Sequence, residues 1–256
     1  MINKCKICGG DIQFASGDTY GQCSHCGNTF MIPKADDGRK LEQNNRANHV
    51  GSAIAPGSIV RFGKYNLQSS PEPIEWMTLI AEEEKVLLLS RYGLDNHPYS
   101  SDYTKKSHVV WENSTLRAWL NNEFLNKAFT EEEQSLILTT EVDNSSSQGC
   151  FDTDGGNDTR DRVFLLSYAE AWRAFRNDSA RKCQPTAYAV KRGAFREKDG
   201  QCMWWLRSPG ASENTACFVM QDGRRGNNEA FYRFPAVRPA MWVKADAEIF
   251  RKASSV

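Results

Sequence analysis

Residues 204–243 read WWLRSPGASENTACFVMQDGRRGNNEAFYRFPAVRPAMWV. Two apolar, aromatic stretches bracket a polar, irregular middle. The first, Met203-Trp204-Trp205-Leu206, is closed by Arg207-Ser208-Pro209-Gly210. The second is Ala236-Val237-Arg238-Pro239-Ala240-Met241-Trp242-Val243. Short apolar runs of this kind read as buried strands. Between them, Gln221-Asp222-Gly223 and Arg225-Gly226-Asn227-Asn228 signal turns. A scaffold strand, a loop-rich surface and a closing strand are how a fold presents a binding face. The expected face is 211–234, with contacts from Ser212, Asn214, Phe218, Arg224, Arg225, Asn227, Asn228, Phe231, Tyr232 and Phe234. Tyr and Arg dominate binding hot spots, while Asn and Ser adapt their hydrogen bonds. The stretch holds no His and no nucleophile paired with a base, so recognition is expected rather than chemistry.

Shorter motifs precede this stretch in order. They are Phe62-Gly63-Lys64-Tyr65, Pro73-Ile74-Glu75-Trp76, Ser114-Thr115-Leu116-Arg117-Ala118-Trp119-Leu120-Asn121, Thr153-Asp154-Gly155-Gly156-Asn157-Asp158-Thr159, Val163-Phe164-Leu165-Leu166-Ser167 and Cys183-Gln184-Pro185-Thr186-Ala187-Tyr188-Ala189. With the two apolar clamps, they make residues 57–244 resemble the bacterial DUF6273 family. The resemblance implies a C-type-lectin-like fold of the formylglycine-generating-enzyme (sulfatase-modifying-factor) type, and no known activity. Similar domains serve as the variable proteins of diversity-generating retroelements, where the stretch between the clamps is rewritten to change the ligand. The ligand implied for 211–234 is a protein, or a small molecule or glycan. Met220, Gln221 and Glu229 are not products of adenine-directed rewriting of Asn codons ending in a pyrimidine, which speaks against a fully diversified stretch. Formylglycine-generating enzymes act through a pair of active-site cysteines, and neither Cys202 nor Cys217 matches that pair by motif. A thiol-dependent oxidase-like enzyme on this fold is therefore the alternative to a recognition protein.

The N-terminal region carries a second signal. Cys5-Lys6-Ile7-Cys8 and Cys23-Ser24-His25-Cys26 form two C-x2-C pairs separated by 14 residues. Each pair can reach one metal, and Gly9 or Gly27 lets the chain turn around it. Four thiolates in a tetrahedral array select Zn2+ and leave no open position, so the metal reads as structural. Residues 1–33 are thus expected to form a zinc ribbon with Cys5, Cys8, Cys23 and Cys26 as ligands, available to a second protein partner. Lys4, Lys6 and Lys34 are its few cations and Asp11 and Asp18 oppose them, so nucleic acid is not the expected partner.

Length and charge bound the rest. The chain has 256 residues, enough for one full domain and a small module. Its formal net charge is zero, which excludes a global drive toward nucleic acid or anionic membrane. No run of about 18 apolar residues is present, so no membrane span is expected. Met1-Ile2-Asn3-Lys4-Cys5 lacks the apolar core of a signal peptide, and a cytoplasmic home is expected. There the other cysteines, Cys150, Cys183, Cys202 and Cys217, read as small buried hydrophobes.

Residues 34–56 are polar and without apolar period, as in a flexible linker. The main domain is expected over 57–246, with a disordered tail over 247–256. Ile59 to Phe62 begins it as a strand that stops at Gly63. Glu75–Ala81 and Lys85–Arg91 form a hairpin about Glu82-Glu83-Glu84. Tyr92–Val110 and Asn144–Asp161 read as loops. Leu116, Trp119, Leu120 and Phe124 fall at helical spacing behind Asn113 or Ser114 as cap. Thr130-Glu131-Glu132-Glu133 and Ser167-Tyr168-Ala169-Glu170 are capping boxes that open two further helices, the first running to Leu138. Strands are expected at Val163–Leu166, Met203–Leu206, Ala216–Gln221 and Val237–Val243. Helices mixed with short, mostly antiparallel strands give an α+β fold.

Three further constellations admit two readings each. Asp152, Asp154, Asn157 and Asp158 place oxygens as a Ca2+ site wants them. The same residues also cap their own backbone in tight loops, which is their commoner use. Arg207 and Arg238 could grip an anionic ligand, but five fixed donors suit them better to pinning irregular loops. His97, in Asp95-Asn96-His97-Pro98-Tyr99, could serve as a base but has no partnered nucleophile in sequence, so loop packing is expected.

Overall fold

The computed structural model describes residues 55–101 and 108–250 with their side chains, 251–253 as backbone, and four short strands near the N-terminus as backbone. The chain divides into two compact units, Met1–His49 and Val50–Val256. In the first, β1 (Asn3–Lys4), β2 (Asp11–Gln13), β3 (Tyr20–Cys23) and β4 (Thr29–Met31) form one antiparallel sheet in sequence order. Cys23 ends β3, while Cys5, Cys8 and Cys26, and with them the expected metal site, lie outside the described residues.

The second unit is built on two larger sheets. β5 (Ile59–Asn66), β6 (Pro71–Ala81), β7 (Lys85–Ser90) and β15 (Ala240–Lys244) form an antiparallel sheet in the order β15-β7-β6-β5. β6 shows the alternation of a half-covered strand, burying Ile74, Trp76 and Thr78. β7 is buried almost throughout because it has a neighbour on each side and layers on both faces. A mixed sheet has the order β13-β12-β11-β14-β8, from β8 (Asp95–Asn96), β11 (Trp204–Pro209), β12 (Thr215–Val219), β13 (Arg225–Glu229) and β14 (Ala236–Val237). Its centre, β11, is the Trp-Trp-Leu-Arg clamp, buried at every residue. The second clamp does not form one strand. Arg238-Pro239 breaks it into β14 and β15, one in each sheet, and thereby joins the sheets at their seam. Pro239 has no N–H to give to a ladder; its carbonyl accepts Ser90 N–H, and Arg238 Nε donates to Ser90 O.

The helical expectations hold where caps announce them. Ser114 caps α1 (Thr115–Trp119), which runs through a π-helical turn, Leu120–Phe124, into α2 (Leu125–Ala128). Thr130 and Ser167 make their capping boxes at α3 (Glu131–Leu136) and α4 (Tyr168–Ala174). α3 stops at Leu136 rather than Leu138 because Ile137 is already extended and bridges Val243. α5 (Asp178–Arg181) and α6 (Ala187–Arg192), capped by Asn177 and Thr186, are too short to show a period in the sequence.

Four further expectations need correction. Gly63 does not end β5 but sits at a bulge, at φ +68°, where Phe129 crosses so close that a Cβ would meet its ring. Val163–Leu166 is buried yet makes only a single bridge, Phe164 to Ala240. The loop over Asn144–Asp161 ends in a strand, β10 (Thr159–Asp161), paired with β9 (Thr140–Val142). The tail from 247 is not disordered at its start: Glu248–Ala253 is helical (α7), and buried Ala247 and Phe250 tether it to the core. Overall the class is α+β. No helix among the described residues is long and apolar enough to cross a membrane.

Candidate functional site

Strand alternation divides the expected 211–234 face in two. β12 and β13 pair with Cys217 opposite Asn227 and Phe218 opposite Gly226. Opposed residues point to the same side of a sheet and neighbours to opposite sides. Cys217, Arg225 and Asn227 therefore share one side, and Phe218, Gly226 and Asn228 the other. Phe218 is 6% exposed and is not a ligand contact. Its ring lies over Gly226, where a Cβ would meet it at 2.5 Å, edge-on to Trp205 at 5.7 Å, and stacked with Tyr232 at 6.2 Å. An aromatic among polar residues looks exposed in sequence until its partner strand is known.

The other candidates keep surface positions with varied freedom. Ser212 is exposed on the turn after β11, and half-buried Asn214 accepts its hydroxyl there. Exposed Arg224 is paired with Asp222, whose carboxyl is held below its usual range chiefly by that arginine. Asn227 accepts Ala211 N–H and Asn228 accepts Glu229 N–H, so both carbonyls serve local turns. Phe231 and Tyr232 are half-buried. Phe234 is the most open, 47% exposed, edge-on to Tyr232 at 4.9 Å and to Phe195 at 6.3 Å.

On the Tyr232 side the structure contains a cavity of about 270 Å³, lined by His97, Pro98, Ser101, Thr115, Leu116, Trp119 and Arg233. The sequence placed none of these in the site except for weighing His97 as a loop residue. Three elements build it. The segment after β8 carries His97, α1 delivers Thr115 and Trp119, and the segment before β14 delivers Arg233, whose carbonyl accepts Asn96 Nδ2 at 2.6 Å. His97 packs against Trp119 with ring centres 4.1 Å apart and planes tilted by 33°. Its carbonyl accepts Trp205 Nε1 at 3.0 Å, and its Nε2 lies 3.7 Å from Asp95 Oδ2 without a hydrogen-bond partner among the described residues. Behind it, burial opposes the charge of Asp95. The neighbouring His97 and hydrogen bonds from Tyr65 Oη and Asn96 N–H outweigh burial and hold the carboxyl below its usual range. Arg233 is exposed and has no ion pair among the described residues. The wall thus offers an exposed guanidinium with no ion pair among the described residues, two aromatic rings and the hydroxyls of Ser101 and Thr115, which bond each other at 3.2 Å.

The remaining candidates go elsewhere. In the acidic loop, Asp154 accepts Gly156 N–H, Asp158 accepts Asn144 N–H, and Asn157 donates to Glu112. Only the Asp154 contact is a local turn cap; the other two tie the loop to Asn144 and Glu112, and Asp152 is exposed beside them. The described residues hold no group of three or more His, Cys, Asp or Glu placed to share a metal ion. Arg207 and Arg238, both 1% exposed, pin loops. Arg207 donates to the carbonyls of Leu165 and Asp143 and pairs with Glu170. Arg238 lies 4.8 Å from the Trp204 ring centre. Cys202 and Cys217 are fully buried, and each adjoins another cysteine, Cys183 and Cys150 respectively.

The family model described as Domain of unknown function (DUF6273) matches residues 83–245. This span takes in both clamps and the cavity residues from His97 to Arg233. No curated protein and no solved structure matches the chain.

Proposed function

We propose that this chain, which belongs to the DUF6273 family, is a non-enzymatic recognition protein that takes its ligand at the cavity between His97, Trp119 and Arg233. The observation that carries this is an open space of about 270 Å³ walled by the closely packed rings of His97 and Trp119, with the exposed Arg233 at its edge. Ligand sites combine apolar walls with a few placed polar groups. An exposed guanidinium favours an anionic group, and Trp119 favours a flat or sugar-like apolar face beside it. Tyr232 and Phe234 extend the same surface outward. Cys202 and Cys217 by themselves do not meet the needs of a thiol-dependent oxidase, which requires an accessible thiol. We read the larger unit as C-type-lectin-like, a reading that its mixed sheet and loop-built site support. Phe218, Gly223 and Gly226 serve packing and turns within 211–234, which favours a fixed face over a diversified one.

The test is selection of the full chain against a peptide display library and a glycan array. Arg233→Ala and Trp119→Ala should each lower retention of the selected binder about tenfold, the equivalent of ~1.4 kcal/mol. Arg225→Ala, on the other side of the sheet, should leave it unchanged. Equal retention by the first two variants would remove the cavity from consideration.

The N-terminal unit is proposed as a structural zinc ribbon and adaptor. Its donor set, Cys5, Cys8, Cys23 and Cys26, is all thiolate, which fits Zn2+ and closes the coordination shell. Elemental analysis should find one zinc per chain, lost in a Cys5→Ser/Cys26→Ser variant whose larger unit still unfolds at the wild-type temperature. A stoichiometry near zero in protein purified without chelator would refute it.

A further inference from the structure

Cys150 and Cys217 are 67 residues apart in sequence, yet their Sγ atoms lie 3.2 Å apart. A disulfide is ~2.05 Å long, so closure needs the sulfurs to approach by only about 1 Å, within the reach of small side-chain rotations. The two cysteines differ in every respect that governs thiol reactivity. Cys217 is fully buried on β12, with Pro209 O 3.0 Å from its Sγ. Cys150 is half-buried on the loop that crosses this side of the sheet. Arg225 lies over that loop, its Nη1 donating to Cys150 O at 3.4 Å and its guanidinium 5.3 Å from the Phe151 ring centre. A partly exposed cysteine, a neighbouring cation and a protonated thiol in contact are the setting of a reactive cysteine with a resolving partner.

We propose that Cys150 and Cys217 form a redox-active dithiol that reacts with hydroperoxides, Cys150 as the attacked thiolate and Cys217 as the resolving thiol. In the first step Cys150 S⁻ attacks the distal peroxide oxygen. The O–O bond breaks, an S–O bond forms, and the leaving alkoxide or hydroxide takes a proton to give an alcohol or water. In the second step the Cys217 sulfur attacks the Cys150 sulfenic acid, the S–O bond breaks, and water leaves with the Cys217 proton. The dithiol has lost two electrons and the hydroperoxide has gained them. Electrostatics agree with these roles. The contact with Cys217 and, behind it, the charge of Arg225 lower the Cys150 thiol to about 7, while Cys217 is pushed up by that contact and by burial.

The other pair is an internal control. Cys183 and Cys202 bridge two backbone segments, with Cys202 N–H donating to Cys183 O at 2.7 Å, but both are sealed in the core at 2% and 0% exposure. The same chemistry without access should leave them reduced. The inference does not rest on the recognition reading, because the cavity lies on the opposite side of the sheet.

The experiment is titration of the full, zinc-loaded chain with hydrogen peroxide at neutral pH, followed by non-reducing peptide mapping. A Cys150–Cys217 crosslink should be the first product, complete near one equivalent of peroxide and reversed by dithiothreitol. Its rate should rise with pH through about 7. In Cys217→Ser, Cys150 should persist as a sulfenic acid trapped by dimedone, and in Cys150→Ser, Cys217 should stay unmodified. Oxidation of Cys183, Cys202 or the N-terminal cysteines ahead of this pair would overturn the proposal. So would passage of Cys150 to sulfinic acid without a crosslink. The wild-type map alone decides the matter, so it does not depend on either variant folding.

Discussion

Asp161→Ala is expected to lower the unfolding free energy of the larger unit by about 3–5 kcal/mol, the loss typical of breaking a buried ion pair on one side. The Asp161 side chain has no exposed surface. Its Oδ1 accepts Arg117 Nε at 2.7 Å, and its Oδ2 accepts Trp111 Nε1 at 2.9 Å and Thr159 Oγ1 at 2.8 Å. One carboxylate therefore ties β10, the turn at Trp111 and helix α1 together. Removing it strands a buried indole N–H, a buried hydroxyl and a guanidinium that is only 27% exposed. Each neutral donor left dry costs ~1–3 kcal/mol, and the cation more. For a unit of this size, the shift in Tm should be on the order of 10 °C. Asp161→Asn, of equal volume, should lose less than Ala but more than a surface change, because its amide keeps one acceptor and turns the other into a donor facing donors. Urea unfolding followed by Trp fluorescence measures all three proteins. A loss below about 1 kcal/mol for Ala would mean that water replaces the carboxylate, and that the three elements are not joined here.

Asp161 also marks where sequence reading stops. The clamps at Trp204 and Ala236 were legible because a run of apolar residues has few places to go but a strand inside a core. Thr130 and Ser167 were legible because a capping box is a local contract between residues three apart. What was illegible is non-local. Asp161 looked like the last acid of a polar loop, since nothing nearby reveals that Trp111 and Arg117 will surround it. Cys150 and Cys217 looked scattered because 67 residues separate them. The 211–234 stretch looked like a single face because its loops were read without a register. Once Cys217 stands opposite Asn227, alternation sends Arg225 and Phe218 to opposite sides. The cavity was missed for the same reason. Its two walls, at Asn96-His97 and at Arg233, are 137 positions apart along the chain where Asn96 holds Arg233 O.

Trp205→Ala is expected to cost about 3–5 kcal/mol of stability and to abolish binding at the cavity as well. The indole is fully buried at the centre of the mixed sheet, edge-on to Tyr99 at 5.9 Å and to Phe218 at 5.7 Å. Deleting it opens a cavity that β-sheet neighbours on both sides prevent from collapsing. The second effect follows from a different atom. Trp205 Nε1 donates to His97 O at 3.0 Å, and His97 in turn packs on Trp119 to form the cavity wall. Trp205→Phe separates the two effects. It keeps most of the ring volume but gives up the donor, leaving His97 O unpaired at about 1–3 kcal/mol. Packing of Phe218 and Tyr99 should survive, while the position of His97 loosens. The expected outcome for Phe is a folded protein, with a modest fall in urea midpoint, whose retention of a selected binder drops about tenfold, the equivalent of ~1.4 kcal/mol. If Trp205→Phe instead binds like wild type at reduced stability, Trp205 is a packing residue only, and the wall formed by His97 is held by its contact with Trp119. If both variants keep full binding, the ligand surface lies away from this cavity, on the side of the sheet that carries Arg225 and Asn227.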